Sequence, residues 1–166
     1  MAEKYNNANE VSLDILTNRN QIEVRATWLA MIYQEMVDAG IENTEQILRK
    51  AIFKYGLNKG AGVKNAVQDP QDMRQFAEKT PSPTGRKTFN MDEIHALYDE
   101  VPITFNYCPL VAAWEKLGLD DETIELLCDI AMDGDRGLAE AMGFDLDISD
   151  TIAKGCKTCE LHYTKR

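Results

Sequence analysis

The chain has 166 residues, 44% of them hydrophobic, and a formal net charge of −10; this is the size of one domain with a core that needs no disulfide or metal to close. Residues 109–150 carry all of that net charge, with twelve Asp and Glu against only Lys116 and Arg136. Such a surface repels phosphate backbones and anionic headgroups, which sets nucleic-acid and membrane partners aside and leaves a small molecule as the expected partner. No apolar run reaches the roughly 18 residues of a membrane span.

The first ten residues, MAEKYNNANE, read as a polar, flexible lead-in without the apolar stretch of a secretory signal. A cytoplasmic protein with four reduced thiols is the expectation. The spacing predicts an apolar helix over 21–39, with Ile22, Ala26, Leu29, Tyr33 and Met36 on one stripe and Trp28 and Ile32 widening it. Gly40 ends it. A second helix opens at Asn43 or Thr44 and turns Ile47, Leu48, Ala51, Ile52 and Tyr55 inward. The run from Gly56 to Gly62 has no preceding strand and no Walker spacing, so it reads as a hinge or helix end. A short third helix follows Asp69-Pro70 and runs to Lys79.

The stretch PSPTGRKTFN, residues 81–90, is rich in turn formers and reads as a linker. It divides the single domain 1–166 into a helical half, 11–80, and a cysteine-bearing half, 91–166. From Glu93 to Tyr107 the period becomes two: Val101, Ile103, Phe105 and Tyr107 share a face, and Pro102 marks a strand start or a sheet edge. Helices over 109–117 and 121–142 are split by Gly118, with Asp120 or Asp121 as cap; a last strand runs from Cys159 to Thr164. This order predicts an α+β fold, a helical half packed on a small antiparallel sheet with helices.

Chemistry is expected at the cysteines. Pro109 suits a first helical position and so puts Cys108 at the N-cap. There the amides and the helix dipole favour a thiolate and a nucleophile, and Asn106 lies on the side from which it could donate to an oxyanion. The competing reading of Cys108 is a small buried residue at a tight turn. Cys128 lies on the stripe Ile124, Leu127, Cys128, Ala131 and reads as core. Cys156 and Cys159 form a Cys-x-x-Cys that opens a strand, half of a redox pair or of a zinc knuckle. His162 falls on the face opposite Cys159, and the sequence leaves the distance from His95 to Cys108 open.

Several of these segments combine: Asn106-Tyr-Cys108-Pro109, the Trp114–Gly118 turn, Leu127-Cys128-Asp129, Thr151-Ile-Ala-Lys-Gly155 and Cys159-Glu-Leu-His-Tyr163. Together they resemble the L-2-amino-thiazoline-4-carboxylic acid hydrolases over about residues 95–164. Glu160 stands where the family more often has Asp, His162 where it more often has a basic residue, and Cys156 is peculiar to this chain. The ending is also similar to that of vinyl-4-reductase-type ligand-binding domains, which implies an internal pocket. The resemblance implies hydrolytic opening of a C–N or C–S bond in a small cyclic amidine or amide such as a 2-aminothiazoline carboxylate. Cys108 would attack, with Asn106 beside it. Asp133 or Asp135 would protonate the leaving atom; both lie, with Asp129, near the family's acidic position. Cys128, Cys159, Gly155 and His95 would line the pocket or support it. The alternatives are a metal site, with one divalent ion such as zinc held by Cys108, Cys128 and Cys159, and a non-catalytic binding or sensory module. A thiol-based enzyme would require no cofactor, and a homo-oligomer stays open.

Overall fold

A computed structural model describes residues 5–166. Its elements run α1 (Leu13–Asp38), α2 (Thr44–Ala66), α3 (Met73–Lys79), α4 (Pro83–Thr88), β1 (Glu100–Phe105), α5 (Pro109–Lys116), α6 (Asp121–Met142), β2 (Phe144–Asp150), a 3₁₀ turn (Ile152–Lys154) and β3 (Cys159–Lys165). The three strands form one antiparallel sheet in the order β1-β3-β2. The expected α+β class is what the chain adopts, and β1, with its Pro102, is an edge strand as the missing N–H demands.

One sheet face is apolar and packs on the helices. Val101, Ile103, Cys159, Leu161, Tyr163 and Phe144 all lie buried in a core completed by Met73, Phe76, Val111, Trp114, Leu127 and Met142. The Phe76 ring meets both Phe144 and Tyr163, at centroid distances of 5.3 and 5.2 Å. Strand β2 was not expected from the sequence, although Phe144, Leu146 and Ile148 alternate with Asp145 and Asp147 as a half-buried strand must. Its register with β3 slips between Ile148 and Asp150.

The helices correct several expectations. Helix α1 begins eight residues before position 21, and Trp28 and Ile32 do not widen its core face: they stand 64% and 50% exposed. The inward residues are Ile15, Arg19, Ile22, Ala26 and Ala30, and the Trp114 indole N–H donates to the Ala26 carbonyl at 2.9 Å. Helix α2 does not end at its glycines. It runs through them to Ala66 and packs along α6, with Gly56 and Gly60 on the contact face and Ile47 and Tyr55 exposed. A Cβ at Gly56 would run into the Gly134 carbonyl, and one at Gly137 into the Phe53 carbonyl. Two backbones therefore touch where large side chains were expected. Alongside, Arg49 reaches Asp129 (2.6 Å) and Asp133 (3.1 Å), and Arg136 reaches the same two carboxylates, each at 2.6 Å.

Residues 81–90 are not an open linker. Ser82 caps α4 by accepting from the Gly85 amide, and Thr88 is fully buried. Arg19 donates to the Thr88 carbonyl at 2.9 Å, and Asn18 to the Thr88 hydroxyl at 2.8 Å. Nor is the described part of the lead-in loose: Asn9 accepts from Arg19 through its carbonyl and its side chain, at 3.1 and 2.6 Å. The two halves pack on one another through α2 with α6 and α1 with α5. No helix among the described residues is long and apolar enough to cross a membrane.

Candidate functional site

Cys108 sits where expected, at the N-cap of α5 with Pro109 in the first turn. Its backbone is held from a distance of 102 residues. Asn6 donates to the Cys108 carbonyl at 3.0 Å and accepts from its amide at 2.8 Å. The thiol faces the core, and two effects oppose each other there. Burial raises its pKa, the amides of Val111 and Leu110 lower it, and nearby Asp135 and Glu115 raise it again. Burial wins, and the thiol is pushed up to about 11. This corrects the expectation of a readily ionised thiol: the helix terminus is present, but water is not.

Cys128 and Cys159 share this interior. Burial raises both thiols, Cys159 to about 12, and a thiolate at Cys108 would disfavour ionisation of either one. The Cys159 sulfur also accepts from the Ile152 amide at 3.2 Å. The three cysteines belong to the same buried core, and all are free thiols. Among the described residues no three His, Cys, Asp or Glu side chains are arranged to hold an ion.

Of the two acids, Asp135 is half-buried and near enough to Cys108 for its charge to raise that thiol. Burial holds its carboxyl above the ordinary range, against the pull of Lys59, the Tyr163 hydrogen bond and Arg136. The Tyr163 hydroxyl donates to Asp135 Oδ1 at 3.3 Å. Burial and the Asp135 charge in turn raise the phenol well above its usual value. Asp133 has a different place. Its two oxygens are taken by Arg136 and Arg49, so it ties α6 to α2.

Three expected residues stand apart. Asn106 donates to the Asn90 carbonyl (2.9 Å) and to Asp92 (2.8 Å), so its amide is spent on the loop before β1. His95 is exposed on that loop. Gly155 is exposed too, at φ 82°, and closes the 3₁₀ turn whose first amide holds Cys159. Tyr163 was missed as a functional group. Its place on the Cys159 face of β3 was legible, but its carboxyl partner lies 28 residues away on another element.

The chain's fold is similar to that of a trafficking protein particle complex subunit 3 from Naegleria fowleri, solved covalently bound to palmitic acid. The identity is 14% and the TM-score 0.53, covering 87% of this chain and 96% of that one, so the likeness is one of fold. No curated protein matches the chain. The family model for L-2-amino-thiazoline-4-carboxylic acid hydrolase matches residues 19–163. That span includes Cys108, Cys128, Cys159, Asp135 and Tyr163, and the chain belongs to the L-2-amino-thiazoline-4-carboxylic acid hydrolase family.

Proposed function

We propose that this protein is a hydrolase that opens a C–N or C–S bond in a small cyclic amidine, of which a 2-aminothiazoline carboxylate is the leading example. The observation that carries the reading is the family match over residues 19–163, supported by Asp135, whose carboxyl is held above the ordinary range by burial and whose charge in turn raises the Cys108 thiol. A protonated carboxyl in an apolar interior is what a leaving sulfur or nitrogen requires.

The chemistry follows from the protonation states. The Cys108 S–H adds across the C=N bond of the ring: sulfur bonds to carbon, and the thiol proton goes to the ring nitrogen. The α5 amides of Val111 and Leu110 stabilise charge on sulfur as it develops. The tetrahedral carbon then collapses, the ring C–S or C–N bond breaks, and Asp135 protonates the departing atom. Water adds to the remaining thioester-like carbon, releasing product and restoring the S–H bond; the proton lost by that water returns to Asp135. Tyr163 holds the Asp135 carboxyl in position.

A second reading is supported by the raised thiols: the same interior serves as a non-catalytic binding site for a small molecule. Turnover separates the two. Supplied with 2-aminothiazoline-4-carboxylate and a panel of cyclic amidines, the purified protein is expected to hydrolyse at least one. Cys108→Ser should abolish that turnover with the circular dichroism spectrum unchanged, and Cys156→Ser should leave it intact. Binding without turnover across the panel would favour the second reading.

A further inference from the structure

Helix α1 is built inside out. Its core face offers small residues, Ala26 and Ala30, while larger apolar ones face water: Leu13 is 78% exposed, Trp28 64%, Met31 54% and Ile32 50%. Val24, 44% exposed, extends the same surface, while Leu13 and Leu16 stand apart from it beyond Thr17, Asn20 and Gln21. Single exposed apolar residues are ordinary, but a cluster on one helix face is not. Val24, Trp28, Met31 and Ile32 together present on the order of 400 Å² of apolar surface, about half of the roughly 800 Å² each partner gives to a standard interface.

The surface is complementary to itself. One turn beyond the protruding Trp28 lies an open, apolar depression of about 480 Å³, lined by Met31, Ile32, Glu35, Met36, Ala39 and Ile41. A knob and a hole on one helix, a turn apart, are satisfied together by a two-fold axis crossing α1 between them. In antiparallel pairing about Ala30, Trp28 of one copy meets Ile32 of the other, and Arg25 meets Glu35. The opposite charges therefore come into register with the apolar contact, and the indole N–H enters a hole with a carboxylate on its rim. Parallel pairing would set Glu35 against Glu35.

We propose that the exposed face of α1 is a homodimer interface in which two copies pack antiparallel, each placing Trp28 in the other's Met31–Ile41 depression.

The test is sedimentation and light scattering of the full chain from about 1 to 100 μM, with tryptophan emission followed on dilution. The wild type should run at twice the 18.7 kDa of the chain, and its emission should shift to the red as dilution separates the copies, since Trp114 is buried and Trp28 exposed. Trp28→Glu should be monomeric throughout with an unchanged circular dichroism spectrum. Leu97→Glu, at an equally exposed apolar site away from α1, should remain dimeric. A monomeric wild type at 100 μM overturns the proposal, whether or not it then binds neutral phosphatidylcholine vesicles. A dimer that survives Trp28→Glu overturns it equally.

Discussion

At the scale of single residues, Cys108 stands at the N-cap of α5 with its thiol buried and pushed up to about 11. Pro109 and the end of a period-two run locate the N-cap because both are local signals. Protonation depends on burial, which long-range packing decides. Thiol alkylation with iodoacetamide at pH 8 should therefore modify the part-exposed Cys156 first, with Cys108, Cys128 and Cys159 slower by at least tenfold. Mass spectrometry of the peptides checks this, and Cys108 modification should rise with pH toward about 11. Asp135 gives a second prediction. Its folded pKa is raised, so stability falls as pH climbs from the ordinary carboxyl value, where the unfolded chain ionises first, up to the raised folded value, and the loss persists unchanged above it. Asp135→Asn should thus grow more stable relative to wild type as pH rises, read as a widening difference in Tm, while turnover falls by about a hundredfold or more.

At the scale of elements, the sequence was read well where large apolar residues mark a face and poorly where small ones do. Strand β3 was legible because Cys159, Leu161 and Tyr163 alternate with polar residues. Strand β2 carries the same alternation, but in a short acidic stretch between a long helix and the last strand it went unassigned. The α2–α6 contact was misread because its signal is glycine, and glycine more often means a break. Gly56→Ala and Gly137→Ala should each lower stability by about 1–3 kcal/mol or more, since the new methyl meets backbone that cannot swing aside. Gly62→Ala, on the same helix with open space around it, should raise stability by about 0.5–1 kcal/mol. Denaturant midpoints of the three variants decide the matter. The clamp of Asn6 on Cys108 was hidden too, because nothing local pairs residues 102 apart. Asn6→Ala should loosen the entry to α5 and speed Cys108 alkylation several-fold.

At the scale of the whole molecule, the proposed site lies within the core. The face of β3 that closes the core also delivers Cys159 and Tyr163, α6 delivers Cys128 and Asp135, and the start of α5 delivers Cys108. The resemblance of the C-terminal segments to one family was legible because they hold this constellation. The N-terminal half contributes the supports: Arg19 lies over the Tyr107 ring at 4.2 Å, next to Cys108, and α2 braces α6. What a linear reading lacks is the burial that this joint packing imposes on the thiols and on Asp135.

The most direct test of the central claim is intact-mass analysis and turnover with 2-aminothiazoline-4-carboxylate and related cyclic amidines, comparing wild type with Cys108→Ser. The expected result is hydrolysis by the wild type, a transient adduct of substrate mass on the Cys108 peptide, and neither in the variant. Full turnover by Cys108→Ser would contradict the account.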